Sequence, residues 1–235
     1  IDSNPSEMRV LFWYALPGTY TIYAKSHGRV IGTLSCVMDS EAGLPMDEGA
    51  GPFLNKLRRN KKRLCELSGL AVNRDLAGNS TIMALFQYIV KFCIETLQAT
   101  DWVIVVNPRH KKSYSRLFGF ENTGDIFSYE KVNNAPGIPM RRDLTTLRQD
   151  LFRKYAHRPG SNNLYRLFFV RDQIRIARRI AGQLEVRSQN MTMEFLNQFF
   201  SNNSDVLEPP ERYALFCRQW MDSWMRQKQN AKCAV

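Results

Sequence analysis

The sequence is poor in residues that bind metal ions: its 235 residues include 3 histidines and 5 cysteines. No two cysteines form a CxxC pair, and no histidine lies at ligand spacing from a cysteine. We therefore expect no metal site. Disulfide frameworks are typical of short secreted chains, so we expect reduced thiols and a cytoplasmic protein. The cysteines are Cys36, Cys65, Cys93, Cys217 and Cys233.

Long apolar runs are also missing. The longest, such as residues 102–106, have the length of a strand, whereas a helix needs about 20 apolar residues to cross a bilayer. We expect no transmembrane segment, and no signal peptide is visible. Because the first residue is Ile1 rather than a methionine, we expect that an upstream segment is missing, which limits what the sequence says about targeting.

Acidic residues are outnumbered by basic ones, 22 against 33, which gives a net charge of +11. Such a surplus favours an anionic partner: nucleic acid, an acidic membrane surface or an acidic protein. No nucleic-acid-binding motif appears, so we do not expect nucleic acid. Each basic cluster has a second interpretation, as a solvated face. The clusters are residues 58–63, residues 109–112, Arg141 and Arg142, and Arg171, Arg175, Arg178 and Arg179.

The hydrophobic content of 44% is enough for a full core. Residues 19–25 and 29–38 are rich in β-branched and aromatic side chains, and His27-Gly28 between them predicts the turn of an antiparallel hairpin. A short strand is predicted at residues 10–14. The central strand is predicted at residues 63–72, with a helix that begins near Ser80 and buries one face.

The unbroken apolar run at residues 102–106 predicts a strand that is covered on both faces. We predict an α/β (α+β) domain over residues 1–143, with a mixed sheet flanked by helices. A helical extension over residues 144–235 is expected to pack on it. The other predicted elements are helices at 53–60, 111–118, 163–187 and 192–200, helices from Asp143 and Pro209, and strands at 121–129 and 138–143.

The order β-β-(α)-β-α-β-α-β-β over residues 10–143 resembles the GNAT acyltransferases. Four segments are similar to a narrower branch, the N-acyl amino acid synthases: residues 43–46 (GLPM), 65–72 (CELSGLAV), 107–110 (NPRH) and 134–140 (NAPGIPM). The related acyl-homoserine lactone synthases have Glu-x-Ser-Arg in the matching strand. Here Gly69 replaces that arginine, which argues against the lactone-forming branch.

The resemblance implies transfer of a fatty acyl chain from the thioester of acyl carrier protein to the amino group of an amino acid, tyrosine being the familiar acceptor. The donor carries 4'-phosphopantetheine, and no bound cofactor is implied. The resemblance also implies contact with a lipid-like product.

Glu66 is the candidate general base. It lies mid-strand between Cys65 and Leu67, where a charge is costly to bury without a partner or a task. The α-amino group of an amino acid is mostly protonated at neutral pH, and it has to lose a proton before it can attack a thioester. The alternative is that Glu66 pairs with a nearby basic residue such as Arg63.

The resemblance supplies further candidates around this strand. Backbone N–H groups of Leu70, Ala71 and Val72 are expected to stabilise the oxyanion, where GNAT strands bulge. Tyr114 is the candidate general acid for the leaving thiolate. Because four residues rather than three separate Tyr114 from Gly119-Phe120, a core or surface role for Tyr114 stays open.

The donor loop lacks the Arg/Gln-x-x-Gly-x-Gly/Ala cradle with which acetyl-CoA enzymes bind pyrophosphate; Gly78 alone remains near that register. A carrier-protein arm has a single phosphodiester, so this loss favours acyl carrier protein over CoA. A divergent loop that still binds CoA is the alternative. The expected contacts to the arm are Asn73, Arg74, Gly78, Asn79, Ser80, Thr81, Asn107 and His110.

The predicted helix at 163–187 places Arg171, Arg175, Arg178 and Arg179 on one face. Because carrier proteins are acidic, this face is the candidate docking surface. The aromatic stripe around Trp220 and Trp224 is expected to pack on the sheet rather than close over an acyl chain. Two other classes of function remain open: a CoA-dependent acetyltransferase of a small amine, and a nucleic-acid-binding protein.

Overall fold

The computed structural model describes residues 11–73, 75, 79–129, 134–160, 163–170, 183–188 and 210–232. The strands are β1 (Thr19–Ser26), β2 (Arg29–Met38), β3 (Leu64–Val72), β4 (Asp101–Val106), β5 (Glu121–Asn122), β6 (Phe127–Tyr129), β7 (Ala135–Asp143) and β8 (Gln183–Ser188). The helices are α1 (Asp47–Arg59), α2 (Asn79–Lys91), α3 (Lys111–Phe118), α4 (Leu144–Tyr155), α5 (Leu164–Phe169) and α6 (Pro210–Lys232), with a π-helical turn at Phe92–Thr96.

The strands of the described residues form one mixed sheet in the order β5-β7-β4-β3-β2-β1-β8, with β6 paired to β7. Strands β3 and β4 run parallel and are connected through α2, whereas the other described pairs are antiparallel. This arrangement confirms the predicted mixed sheet with its helical crossover at the centre.

The hairpin of β1 and β2 forms as predicted. Ser26 pairs with Arg29, so His27 and Gly28 make a two-residue turn. Both turn residues have positive φ angles, 49° and 77°, as a type I′ turn requires.

Two predictions about secondary structure are wrong. Residues 10–14 were expected to form a strand, but Phe12–Ala15 form a 3-10 turn because Phe12 and Trp13 pack into the core instead of extending the sheet. The helix predicted at 163–187 ends at Phe169, and Gln183–Ser188 form β8 on the free edge of β1. The alternation Leu184-Glu185-Val186-Arg187 is a strand period.

The helix predicted from Pro209 is confirmed as α6, whereas the one predicted at 192–200 lies outside the described residues. The domain boundary at residue 143 stays a prediction, although β8 shows that the C-terminal part contributes a strand as well as helices. Among the described helices, none combines the length and the apolar character needed to span a membrane.

The sheet separates two cores. The first core lies under α2, α4 and α5 and includes Cys65, Leu67 and Trp102. The second core lies under the 3-10 turn and α1 and includes Leu64 and Val103. Successive side chains of a strand point to opposite faces, so the side chain of Glu66, two residues after Leu64, points to the second core.

Helix α6 covers part of the second core. Phe216 is buried there, and the Trp220 indole N–H donates to the carbonyl oxygen of Ala15 at 2.9 Å. Of the predicted stripe, Trp220 therefore packs against the second core, while Tyr213 and Met221 on the same helix are exposed. The side chain of Trp224 lies outside the described residues.

Asp101, the first residue of β4, fixes the start of this strand in the sheet. Its carboxylate is fully buried and accepts a hydrogen bond from Arg141 Nε at 2.6 Å and one from the Thr100 hydroxyl at 2.6 Å. Lys62 Nζ lies 3.6 Å from the same carboxylate. Lys62, from the basic run at residues 58–63, is thus engaged in a structural contact.

Replacing Asp101 with alanine is expected to lower the free energy of unfolding by about 3 kcal/mol, because two cations lose a buried partner. The matched control is Glu95→Ala, which removes an exposed pair with Lys91 on one helix face and is expected to cost at most about 0.5 kcal/mol. Urea denaturation of both variants measures the difference. Equal losses would show that the Asp101 network does not stabilise the sheet.

Candidate active site

Strands β3 and β4 diverge after a short stretch of pairing. In the described residues their register runs from Leu64 paired with Asp101 to Glu66 paired with Val103 and goes no further, although β3 continues to Val72 and β4 to Val106. The gap between the strands opens into a cavity of about 630 Å³. Glu66 lies where the strands separate.

The cavity has an apolar wall and a polar wall. The apolar wall is on the side of the first core and consists of Ile82, Met83, Phe86, Leu117 and Phe118. The polar wall is on the other side and carries Tyr14, Glu66, Ser68 and Tyr129. A thioester placed between the strands would thus have apolar surface on one side and a carboxylate on the other.

Glu66 is 2% exposed and has Val37 and Val103 as its neighbours on the adjacent strands. Its Oε2 accepts a hydrogen bond of 2.7 Å from the backbone N–H of Met46. The predicted alternative partner, Arg63, instead donates to the Leu97 carbonyl and the Gln98 side chain. The structure thus places a carboxylate, held by a backbone donor, in the wall of an open cavity.

A β-bulge lies next to Glu66. Thr33 pairs with Ala71 and Ser35 with Ser68, so β3 has one residue more than β2 in this interval. Gly69 takes the left-handed conformation with φ of 62°, which a glycine adopts without strain. The bulge is therefore located at Gly69 and Leu70, at the start of the segment where it was expected.

The predicted oxyanion donors, the N–H groups of residues 70–72, lie at the bulge and directly after it. The Asn73 N–H donates to Ile31 of β2 at 2.8 Å, and N–H directions alternate along a strand. The N–H of Val72 therefore points away from β2, toward the gap, and that of Ala71 points to β2, whereas the bulge interrupts the alternation at Leu70. Of these residues, Leu70 lines the cavity. The oxyanion role of Leu70, Ala71 and Val72 stays a prediction.

Tyr114 projects from α3 into the cavity wall. Its ring makes edge contacts with Phe86 and Phe120, and burial raises the pKa of its hydroxyl above the ordinary value. Tyr114 therefore keeps its proton at neutral pH. The position suits a proton donor, and its catalytic role stays a prediction.

Only some of the described residues that were predicted to bind the donor arm line the cavity. Asn107 and His110 line the cavity, and His110 Nε2 accepts a hydrogen bond from Arg109 Nε at 3.1 Å. Thr81 is instead buried against Gly32, which argues against contact with a ligand.

Asn73 caps the loop after β3, because its side chain accepts from the Asp75 N–H at 3.0 Å. Ser80 is exposed at the start of α2. Arg74, Gly78 and the side chain of Asn79 lie outside the described residues, so their donor contacts stay predictions.

Comparison with known proteins identifies the family. The model of the family "N-acyl amino acid synthase FeeM" matches residues 1–143, which is more than half of the chain. The chain belongs to the FeeM family of N-acyl amino acid synthases. It is therefore an N-acyltransferase, as the resemblance of its four segments implied.

The chain is also similar to solved structures, of which that of FeeM agrees with this assignment. The N-acyl amino acid synthase FeeM from uncultured soil microbes is 27% identical, with a TM-score of 0.55, and the match covers 58% of this chain and 79% of that one. The CoA-dependent acyl-homoserine lactone synthase BjaI is 16% identical, with a TM-score of 0.43, over 64% of this chain and 74% of that one. A comparison with curated proteins gave no match.

Sequence reasoning missed two residues of this FeeM-family site. The Tyr14 hydroxyl and Ser68 Oγ are 2.9 Å apart, on the same wall as Glu66. Ser68 follows Glu66 by two residues, so strand periodicity alone places it on the same face. Tyr14 had no comparable signal, because its segment was interpreted as a strand.

The thiols of Cys36, Cys65 and Cys93 meet in the first core, and their Sγ atoms all lie within 4.8 Å of one another. Hydrogen bonds from the neighbouring thiols, together with burial, raise the pKa of the Cys65 thiol well above its ordinary value. Cys65 therefore stays neutral at physiological pH and packs as a small apolar side chain. No spacing in the sequence indicated this meeting of three separate elements.

The predicted docking residues Arg171, Arg175, Arg178 and Arg179 lie outside the described residues, so this surface stays a prediction. The basic cluster at residues 58–63 is a poor alternative as a docking surface. Arg58 is paired with Asp39 and Asp47, and Lys62 with Asp101.

We expect Gly69→Ala to lower the stability of the protein by more than the roughly 1–2 kcal/mol that an alanine in the left-handed conformation costs. A Cβ atom at Gly69 would lie 2.9 Å from the Tyr14 hydroxyl and would displace it. Gly28→Ala is the matched control, because Gly28 has φ of 77° and nothing within 4 Å of the new Cβ. Thermal unfolding compares the two variants; an equal loss of stability would show that the Tyr14 contact contributes nothing.

Proposed function

We propose that this enzyme transfers a long-chain fatty acyl group from the thioester of acyl carrier protein to the α-amino group of an amino acid, with tyrosine as the first acceptor to test. The observation that carries the proposal is the buried Glu66 carboxylate at the divergence of β3 and β4, in a cavity with one apolar wall. A carrier-protein donor and a free amino acid are both cytoplasmic, so we place the reaction in the cytoplasm.

In the proposed reaction, Glu66 removes a proton from the ammonium group of the acceptor, directly or through a water molecule. The amine lone pair then attacks the thioester carbonyl carbon and forms a C–N bond. Glu66 suits this task because it lines the cavity in the polar wall, opposite the apolar wall. A base within hydrogen-bond reach typically contributes about 10²–10⁴-fold to the rate.

The negative charge that develops on the carbonyl oxygen needs donors that are already in place. The N–H of Leu70 is the best candidate, because this residue lies at the bulge and lines the cavity. The attacking nitrogen then loses its second proton to water, the C–S bond breaks, and the thiolate of the donor arm leaves and takes up a proton. We assign this proton to Tyr114, whose raised pKa keeps its hydroxyl protonated at neutral pH.

The apolar wall supports a fatty acyl donor. Met83, Phe86 and Phe118 offer surface on which an alkyl chain is removed from water at roughly 25 cal/mol per Å². The sequence around Gly78 lacks the pyrophosphate cradle of acetyl-CoA enzymes, and the net charge of +11 favours an acidic carrier protein. These two features support acyl carrier protein over CoA.

Glu66→Gln is expected to lower kcat by about 10²-fold or more while the protein stays folded, because the amide cannot take the proton. Activity is measured with a long-chain acyl carrier protein and tyrosine, and the N-acyltyrosine product is quantified by mass spectrometry. Glu121→Gln, an exposed carboxylate of β5, is the matched control and should retain full activity. A Glu66→Gln variant with wild-type rates across the pH range would remove Glu66 from the mechanism.

The donor is tested by comparing acyl carrier protein with CoA carrying the same acyl chain. If a basic protein meets an acidic carrier, kcat/KM for the carrier should fall as the salt concentration rises from about 0.05 to 0.5 M, because the encounter is steered by charge. The kcat/KM for acyl-CoA serves as the internal control. Equal efficiency with both donors, and no effect of salt on either, would favour CoA as the donor.

A further inference from the structure

The segment 43–46 (GLPM), one of the four family segments, has no role in the reaction as described so far. It belongs to the loop between β2 and α1, and this loop supplies the hydrogen bond to the candidate base. The Met46 N–H donates to Glu66 Oε2 at 2.7 Å. Met46 and Leu44 both bury their side chains completely, so the loop is anchored in the second core on either side of Pro45.

A carboxylate in the first turn of α1 organises this loop. Asp47 Oδ2 accepts the N–H of Leu44 at 2.7 Å and so closes the loop into a tight turn. Gly43 fits closely against the same carboxylate: its φ is 70°, and a Cβ there would lie 2.7 Å from Asp47 Oδ2. The turn is therefore shaped around the Asp47 side chain.

Arg58, from the last turn of α1, locks that carboxylate in place. Its Nη1 and Nη2 donate to the two oxygens of Asp47 at 2.7 and 2.6 Å. Its Nε and Nη2 donate to the two oxygens of Asp39, just after β2, at 2.8 Å each. One guanidinium thus ties the end of β2, both ends of α1 and the loop into a single unit.

We propose that Asp47 and Arg58 are positioning residues for Glu66 and act through the Met46 amide. Hydrogen bonds to a charged group are stronger than those between neutral groups and depend on alignment, and alignment here depends on where the loop holds one N–H. Loosening the Asp47–Arg58 pair lets that N–H move away from the carboxylate, and Glu66 then loses its orientation toward the cavity. The proposal rests on the proposed role of Glu66 as base.

The first test is a double-mutant cycle with Asp47→Asn, which removes the charge of the clamp but keeps the size of the side chain. In the wild-type background we expect kcat to fall about tenfold, the lower end of the value of a charge-assisted hydrogen bond, with little change in KM for either substrate. In the Glu66→Gln background the same substitution should change kcat less than about twofold, because its target is already lost.

The control is Asp150→Asn, which removes a comparable pair with the buried Arg142 on another part of the molecule. It should leave kcat unchanged in both backgrounds. If Asp47→Asn does not fold, Arg58→Lys replaces it in the cycle, because lysine keeps the charge but cannot bridge two carboxylates with a planar fork. A loss of kcat that is equal in both backgrounds would overturn the proposal.

A second measurement does not depend on activity. In protein labelled with 15N-methionine, the Met46 amide proton resonance should lie downfield, as expected for a donor to a carboxylate. Asp47→Asn and Glu66→Gln should both move it upfield, and Asp150→Asn should not. An unmoved Met46 resonance in Asp47→Asn would overturn the positioning role. If the wild-type enzyme forms no N-acyl amino acid, the proposed function fails while this comparison still decides the positioning contact.

Discussion

The early end of parallel pairing between β3 and β4 is the constraint on which the rest of the site depends. In the part of the chain that the structure describes, the two strands are not paired with each other past Glu66, so their facing edges border the cavity. The separation also lets side chains of both cores line one cavity. A sheet paired along its whole length would have kept the apolar wall and the carboxylate on opposite sides of a closed barrier.

Placing a carboxylate at that point has consequences for a distant part of the chain. A charge with apolar neighbours such as Val37 and Val103 needs donors in fixed positions, and here a main-chain N–H of the β2–α1 loop supplies one. The loop in turn requires a glycine at 43, an acid at 47 and a guanidinium at 58. The family segment GLPM is thus explained by the demands of a residue 20 positions later in the sequence.

The parts of the fold that could be predicted are those governed by local periodicity. The β1–β2 hairpin, the apolar run of β4 and the amphipathic pattern of α2 each indicate their structure within one segment. Tyr14 could not be placed, because an aromatic-rich run fits a strand and a buried 3-10 turn equally well. The hydrogen bond from the Met46 N–H to Glu66 could not be predicted, because every residue type except proline has a backbone N–H. The strand β8 was missed because a stretch that includes four arginines suggested one continuous basic helix.

The position of β8 has a consequence for how the chain is made. Strand β1 is synthesised before β8, yet one of its edges is covered by residues 183–188. An uncovered strand edge is a template for pairing with other chains, and such edges are most exposed while a protein is incompletely folded. The eight-residue strand β1 can therefore complete its pairing only after residues 183–188 have been translated. A chain that ends before residue 183 would leave this edge of β1 uncovered, and we expect it to aggregate more readily.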